Sequence, residues 1–161
     1  MRGPKTFRRC RSLRLAGFDY RHPGPYHVVL GTFRRQPLLA TASLVEALRM
    51  ELAAVASATG TTVYAYCFMP DHAHLLVALP GGVHLSRFVQ AFKGRSTRAF
   101  WEHGGSGRLW QRGFYDHVLR AEEDVREMAR YIVANPVRRG LVQDFREYGG
   151  SGSLAFPLDD L

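Results

Sequence analysis

The sequence predicts a single α+β domain in which helices pack against a mainly antiparallel sheet, in the order β-α-β-β-α-β-α. Three observations lead to this fold class. Short β-branched and aromatic runs alternate with segments of helical apolar spacing, a Pro-Asp turn joins two of the strand-like runs, and internal repeats are lacking. A length of 161 residues with 46% hydrophobic content suits one domain with its own core.

The first strand and the first helix are predicted near the start of the domain. The run YHVVLGTF, residues 26–33, follows the Pro/Gly-rich RHPGP and is rich in β-branched and aromatic residues, which is typical of a strand. Apolar residues then recur at helical spacing over residues 44–55, with Thr41 or Ser43 as the cap and Gly60 as the end.

A hairpin is predicted next. TTVYAYCFM, residues 61–69, and HAHLLVAL, residues 72–79, are both strand-like, and only Pro70 and Asp71 separate them. So short a connection predicts that the two strands pair antiparallel.

The second half of the chain predicts a helix, a strand and a third helix. Apolar positions recur at helical spacing from Leu85, a glycine-rich loop follows, and residues 114–119 read as a short strand. Glu122, Glu123 and Asp124 suit the positive end of a third helix, which is predicted to run to Asn135 and Pro136. The complete order of helices and strands is close to the split βαβ arrangement of ferredoxin-like folds.

Charge and composition narrow the classes of partner. The net charge is +8, and all basic residues except Lys5 and Lys93 are arginines, whose planar forks suit phosphates and whose faces stack on bases. Nucleic acid is therefore the expected partner, although an arginine-rich codon usage would give the same composition. The sequence contains no run of about 18 apolar residues, so it predicts no membrane-spanning helix. Cys10 and Cys67 form no CxxC pair, and we expect a cytoplasmic, nucleoid-associated protein.

Two histidines stand at the start of the third predicted strand. Because side chains alternate along a strand, His72 and His74 point the same way, about 6.6 Å apart along the chain, while Leu75, Val77 and Leu79 take the opposite face. Two imidazoles so placed can bind one metal ion. They can equally be hydrogen-bonded histidines at a frayed strand end, so the spacing leaves both interpretations open.

Candidates for further site residues lie on the third predicted helix. Tyr131 and Asn135 are four residues apart and share one side of the helix, so an amide oxygen could join the histidines while the phenol lies within reach. The alternative is that Tyr131 is a boundary aromatic and Asn135 a helix cap before Pro136.

Three sequence blocks resemble the HUH single-tyrosine transposases, and among them the REP-associated tyrosine transposases. The blocks are MPDHAHLLV at 69–77, LWQRGFYDHVLR at 109–120 and RYIVANPVRRGLV at 130–142. The resemblance covers most of the chain from Tyr26 to Val142. It implies a catalytic domain at 26–142. The arginine-rich residues 1–25 are expected to form a basic arm, and the tail at 143–161, rich in glycine near GGSGS, is expected to be loosely held.

Residue by residue, the resemblance implies a catalytic site. His72 and His74 match the metal-binding histidines, Tyr131 matches the nucleophile, and Asn135 matches the polar residue that completes the metal site. Val133 and Ala134 replace bulkier residues of the commoner pattern. Tyr115 is interpreted as a sheet residue, and His117 is left out of the catalytic set.

The resemblance further implies cleavage and rejoining of single-stranded DNA at hairpin-flanked sites, through a covalent 5′-phosphotyrosine. The cofactor it implies is Mg²⁺ or Mn²⁺, whereas two imidazoles alone would favour zinc or manganese. A homodimer is left open. The basic residues expected to contact DNA are Arg87, Lys93, Arg95, Arg98, Arg112 and Arg120.

Two alternatives of other classes remain at the level of sequence. A metal-dependent hydrolase would use His72 and His74 without a covalent intermediate and would tolerate loss of Tyr131. A non-catalytic nucleic-acid-binding module would use the basic sheet and its aromatic residues to stack bases, and would tolerate loss of both histidines.

Overall fold

The computed structural model describes residues 19, 21, 24–120 and 124–161. Most of the predicted arm, Cys10, Glu122 and Glu123 lie outside these described residues. The elements in the predicted order are β1 (Gly24–Gly31), α1 (Ala42–Thr59), β2 (Thr62–Met69), β3 (His72–Leu79), α2 (Leu85–Glu102), β4 (Tyr115–Val118) and α3 (Val125–Val133). A short helix α4 (Asn135–Arg138) and a short strand β5 (Ser151–Gly152), which the sequence did not predict, follow them.

The five strands form one sheet in the order β4-β1-β3-β2-β5, and all neighbouring strands are antiparallel. The predicted α+β class is confirmed, and so is the hairpin of β2 and β3, which pair from Met69 opposite His72. Buried Thr32 holds the turn of this hairpin against β1. Its backbone N–H donates to the Asp71 carbonyl at 3.0 Å.

One face of the sheet, which we call the helix-pair face, carries Phe68, Leu75 and Val77 and is covered by α1 and α2. All three side chains are fully buried. The Phe68 ring stacks on Phe92 of α2 with ring centroids 6.2 Å apart. Trp110 closes the end of this core by donating its Nε1–H to the hydroxyl of Ser96 at 2.8 Å. The larger apolar cluster of the molecule therefore lies on this face.

The other face, which we call the histidine face, carries His27, His72, His74 and Leu76. Only part of it is apolar, and there Leu76 packs in a second buried cluster with Ala129 and Ile132 of α3. Alternation along β3 thus places the histidines opposite Leu75, Val77 and Leu79, as the sequence predicted. Helix α3 covers the apolar part of the histidine face, and a cavity lies over its polar part.

The helix ends agree with the sequence except at the third helix. The Thr41 hydroxyl accepts from the Leu44 N–H, and Asp124 Oδ1 accepts from the Arg126 N–H at 2.7 Å, so both residues act as N-caps. The prediction that the third helix runs to Asn135 and Pro136 is wrong. Helix α3 ends at Val133, and Pro136 lies in the first turn of α4, where its missing N–H costs nothing.

The expectation that the tail at 143–161 is loosely held is also wrong. Strand β5 pairs with β2, and Phe156 packs against the cluster on the histidine face. Arg130 of α3 donates its Nε–H to the Leu161 carbonyl at 2.6 Å. Apolar side chains on both sides of the GGSGS run anchor this segment, among them Phe145 and Leu158. The domain boundaries stay a prediction.

Within the described part of the chain, none of the helices combines the length and the apolar character that crossing a membrane would require.

Candidate active site

The two histidines of β3 lie side by side at the polar end of the histidine face. Nε2 of His72 is 3.1 Å from Nε2 of His74, and the two rings meet edge to face. His72 is buried, and His74 is partly exposed. The predicted convergence of the two imidazoles is present in the structure.

Each histidine has a different partner on its other ring nitrogen. Nδ1 of His72 lies 2.6 Å from Oδ1 of Asp71, whose other carboxylate oxygen is 3.4 Å from the guanidinium of Arg35. Nδ1 of His74 lies 3.0 Å from Nε2 of His27, a buried residue of β1. A carboxylate can only accept, so His72 donates its Nδ1–H to Asp71 and keeps a lone pair on Nε2.

The imidazoles of His27, His72 and His74 all have a lowered pKa, which favours the neutral form at neutral pH. Burial lowers the pKa of His74 to about 2 and the pKa of His27 to about 4. Burial also lowers the pKa of His72, against the opposing hydrogen bond to Asp71. Neutral imidazoles have lone pairs to offer, which is the state that metal binding needs.

Arg35 reaches Asp71 from a turn of unusual backbone geometry. Arg34 and Arg35 have φ values of 55° and 57°, in the left-handed region that non-glycine residues rarely occupy. The hydroxyl of Thr32 lies 2.6 Å from the Gln36 carbonyl at the end of this turn and 2.9 Å from the Asp71 carbonyl, and so holds the turn beside the β2–β3 hairpin. The strained turn thereby places a guanidinium beside the carboxylate that orients His72.

Tyr131 and Asn135 line the same cavity of about 810 Å³ as the two histidines. Helix α3 packs on β2 and β3 through Ala129 and Ile132, which turns Tyr131 outward, where 52% of it is exposed. Asn135 is buried at the start of α4 and donates its Nδ2–H to the Ile132 carbonyl at 3.1 Å. The four residues that the sequence singled out therefore face one cavity.

Three arginines complete the cavity wall. Arg35, Arg138 and Arg139 all line it, and the guanidinium carbon of Arg138 lies 4.0 Å from the ring centroid of Tyr131. A guanidinium at this distance stacks on the aromatic face and limits its motion. The cavity is therefore basic as well as metal-compatible, which suits a phosphate group.

The donor set fits a divalent metal. Two nitrogens bound to one ion at about 2.1 Å and at right angles would lie about 3.0 Å apart, close to the observed 3.1 Å. In the described ranges, no group of three His, Cys, Asp or Glu side chains could hold a metal. Asn135, which lines the same cavity, could supply a third protein donor of another kind, its amide oxygen.

The basic residues predicted to contact DNA are distributed differently. Arg87, Lys93, Arg95 and Arg98 lie on α2, which packs on the helix-pair face, away from the cavity. Lys93 donates to the carbonyls of Gln111 and Gly113 at 2.9 and 2.5 Å. Arg112 precedes β4 and Arg120 follows it, and both side chains are exposed. DNA contact by these six residues stays a prediction.

Sequence reasoning did not identify His27, Asp71, Arg35, Arg138 or Arg139 as site residues. Asp71 precedes His72 directly and was assigned only to the turn. Finding His27 required the register of β1 against β3, in which Val29 lies opposite His74. Tyr115 and His117 of β4 also line the cavity. Tyr115 is paired opposite Val29 in the sheet, as expected for a sheet residue.

Comparisons with known proteins agree on one family. The family model described as "Transposase IS200 like" matches residues 22–135. A REP-associated tyrosine transposase of Escherichia coli K12 is 29% identical over 116 residues, 71% of this chain and 67% of that protein. A Haemophilus influenzae protein assigned to the same group is 30% identical over 95 residues. That alignment spans 52% of this chain and about half, 54%, of the relative.

Solved structures show the same likeness. A REP-associated tyrosine transposase bound to a REP hairpin superposes with a TM-score of 0.65 at 26% identity, covering 80% of this chain and 76% of that one. A Deinococcus radiodurans R1 protein described as a transposase gives a TM-score of 0.54 at 25% identity, covering 74% and 95%.

Proposed function

The chain belongs to the IS200-like transposase family, and on that premise we propose that it cleaves and rejoins single-stranded DNA through a covalent tyrosine intermediate. The observation that carries this proposal is the shared cavity. Tyr131, His72, His74 and Asn135 of one chain line it together. A nucleophile beside two convergent nitrogens that could bind a metal is an arrangement suited to attack on a phosphodiester.

Tyr131 is the proposed nucleophile. Its phenol oxygen attacks the scissile phosphorus, a new phosphorus–oxygen bond forms to the tyrosine, and the bond to the 3′ oxygen breaks. The phenol loses its proton, and the departing 3′ oxygen gains one. The products are a 5′-phosphotyrosine and a 3′-hydroxyl, so attack by another 3′-hydroxyl reverses the step and joins two strands.

Accessibility and positioning of Tyr131 support this role. Half of the side chain is exposed, so a DNA strand can approach it. Arg138 stacks on the ring and presents positive charge where a phosphate oxygen would gather negative charge. Tyr115 lines the same cavity but is less exposed and is anchored in the edge strand β4.

His72, His74 and Asn135 would hold the proposed divalent cation, Mg²⁺ or Mn²⁺. When bound, such an ion polarises a phosphate oxygen and neutralises the charge that grows during attack. Asp71 orients His72 for this task by accepting its Nδ1–H. The amide oxygen of Asn135 adds a harder donor, which brings the site closer to the preference of Mg²⁺ and Mn²⁺.

The proposed substrate is single-stranded DNA that carries a hairpin. Support comes from the solved relative that is bound to a REP hairpin, and from the arginines that line the cavity of this chain. We expect Arg35, Arg138 and Arg139 to contact phosphates next to the scissile bond. The helix α2 arginines would contact only DNA that extends around the edge of the sheet.

One chain supplies every residue of the proposed site, so a second copy is not needed to complete it. The homodimer and the association with the nucleoid stay predictions, which light scattering and cell fractionation would test.

The test uses a library of 3′-labelled single-stranded oligonucleotides, each with a hairpin followed by randomised unpaired bases. The protein is incubated with the library and Mn²⁺ or Mg²⁺, and products are separated on a denaturing gel. We expect a labelled protein–DNA adduct that disappears in Tyr131→Phe and in His72→Ala. The matched control is Tyr115→Phe, a tyrosine of the same cavity, which should keep the adduct.

Cleavage without an adduct, unchanged by Tyr131→Phe, would contradict the proposal and indicate a hydrolase. Binding of the oligonucleotides without any cleavage, unaffected by His72→Ala, would instead indicate a nucleic-acid-binding module.

A further inference from the structure

Four side chains lie in a row under the proposed metal site, each within hydrogen-bonding distance of the next. The row runs from Asp71 to His72 at 2.6 Å, from His72 to His74 at 3.1 Å, and from His74 to His27 at 3.0 Å. Both ring nitrogens of His72 and both ring nitrogens of His74 take part in these contacts. The proton on each ring therefore decides what the ring can do on its other side.

The ring protons of His27 and His74 can point in either of two directions along this row. In the first, His27 donates its Nε2–H to His74, and His74 donates its own Nε2–H to His72. In the second, His74 donates its Nδ1–H to Nε2 of His27. His72 donates to Asp71 in both, because a carboxylate only accepts.

Only the second direction is compatible with a cation. In the first, Nε2 of His74 carries a proton and has no lone pair to give. In the second, the Nε2 lone pairs of His72 and His74 converge 3.1 Å apart, the spacing that a shared ion needs. The hydrogen bond to Asp71 fixes which nitrogen of His72 carries the proton. The partner of His74 therefore determines which nitrogen of His74 carries its proton.

We infer that His27 is a positioning residue of the metal site: it accepts the Nδ1–H of His74 and thereby holds the Nε2 lone pair of His74 beside that of His72. This inference rests on the proposed function, since it assigns a role toward the ion that the proposal requires. The two proposed ligands then donate their Nδ1–H groups to different acceptors: His72 to an anionic carboxylate and His74 to a neutral imidazole.

The fold explains why β1 supplies this partner. In the β1–β3 register, Val29 lies opposite His74 and His27 lies opposite Leu76, so His27 is the diagonal neighbour of His74 on the same face. The two rings stack with centroids 5.3 Å apart and planes inclined by 21°. Burial of His27 at 8% exposure keeps water from replacing it as the acceptor.

The test compares His27→Phe, which keeps a ring and removes the acceptor, with His27→Gln, whose amide oxygen can accept at the position of Nε2. Mn²⁺ affinity is measured on the whole protein without DNA, from the free Mn²⁺ signal in electron paramagnetic resonance. We expect His27→Phe to weaken binding by about 10- to 100-fold. We expect His27→Gln to restore most of it. His103→Gln, at the exposed end of α2, is the matched control and should bind like the wild type.

A second measurement needs no variant. The ring ¹⁵N shifts of His74 in the Mg²⁺-loaded wild-type protein report which nitrogen carries the proton. The inference predicts a proton on Nδ1. A proton on Nε2 would overturn it, as would Mn²⁺ binding by His27→Phe equal to that of the wild type. If His27→Phe does not fold, as judged by its thermal melt without metal, His27→Leu takes its place.

Failure of the proposed function gives a different result. If the wild-type protein does not bind Mn²⁺, the metal site itself is refuted, and the role of His27 falls with it. If the wild type binds Mn²⁺ and His27→Phe does too with unchanged affinity, only the role of His27 is refuted.

Discussion

The two faces of the sheet use the same strands for different purposes. On β3, Ala73, Leu75 and Val77 are fully buried in the apolar core under α1 and α2. One residue away, His72 and His74 face a basic cavity and are held by polar partners. Side-chain alternation therefore lets one strand serve stability on one face and chemistry on the other. Substitutions at adjacent positions of β3 should separate folding from activity.

The largest expected effect is that of His74→Ala on DNA cleavage. Loss of a ligand to the proposed ion removes several kcal/mol of transition-state stabilisation, which corresponds to a rate at least about 10³-fold lower. We expect the free energy of unfolding to change much less, because His74 borders the cavity and belongs to neither apolar cluster. Adduct formation rates and urea unfolding check the two halves of this prediction. An enzyme with normal rates would remove His74 from the site.

Leu75→Ala is the reverse case, one residue along β3. The side chain is fully buried in the larger apolar cluster, so its truncation should cost about 2–5 kcal/mol of unfolding free energy. The cleavage rate of the fraction that remains folded should not change. Urea unfolding monitored by circular dichroism gives the first number, and single-turnover cleavage gives the second. A rate loss as large as that of His74→Ala would mean that the two faces are not separable.

Lys93→Met should affect stability more than DNA binding. The Nζ of Lys93 donates to two carbonyls of the loop before β4, and burial lowers the pKa of this lysine to about 8. Loss of both bonds should cost about 1–3 kcal/mol of unfolding free energy. Arg87→Met, on the exposed side of the same helix, is the matched control. A large loss of DNA affinity without loss of stability would show that Lys93 contacts DNA directly.

The smallest expected effects distinguish arginines on the two sides of the sheet. Arg95 is paired with Glu51 at 2.5 Å on the surface, so Arg95→Ala should cost only about 0.2–1 kcal/mol of stability. Arg138→Ala, in the cavity, should reduce the slope of log affinity against log salt by about 0.7, the value of one phosphate contact on single-stranded DNA. Fluorescence anisotropy over a salt series measures both variants. An equal slope change in Arg95→Ala would place DNA on α2 as well.

Much of the fold was predictable because it depends on local periodicity. The hairpin, the order of elements and the burial of Leu75, Val77 and Leu79 all follow from alternation of period two and from the Pro-Asp turn. The firm attachment of residues 143–161 was not predictable from their glycine content. That attachment depends on tertiary contacts of scattered apolar residues, which no local pattern reports.

The site divides in the same way. His72 and His74 were predictable from spacing within one strand. Helical spacing offered Tyr131 and Asn135 as candidates, and the resemblance to a family implied their roles. His27 was missed because its proposed role depends on the register between β1 and β3, which brings together two residues 47 positions apart in the chain. Arg35 was missed because its position depends on a turn with positive φ angles at two arginines, which the sequence does not suggest.

The most direct test of the central claim is to locate the DNA on the protein. The purified covalent adduct is digested with nuclease and trypsin, and the peptide that carries the nucleotide remnant is sequenced by tandem mass spectrometry. We expect the nucleotide remnant on Tyr131, in the tryptic peptide YIVANPVR of residues 131–138. A remnant on Tyr115, in GFYDHVLR of residues 113–120, would contradict it, because the nucleophile would then lie on the edge strand instead of on α3.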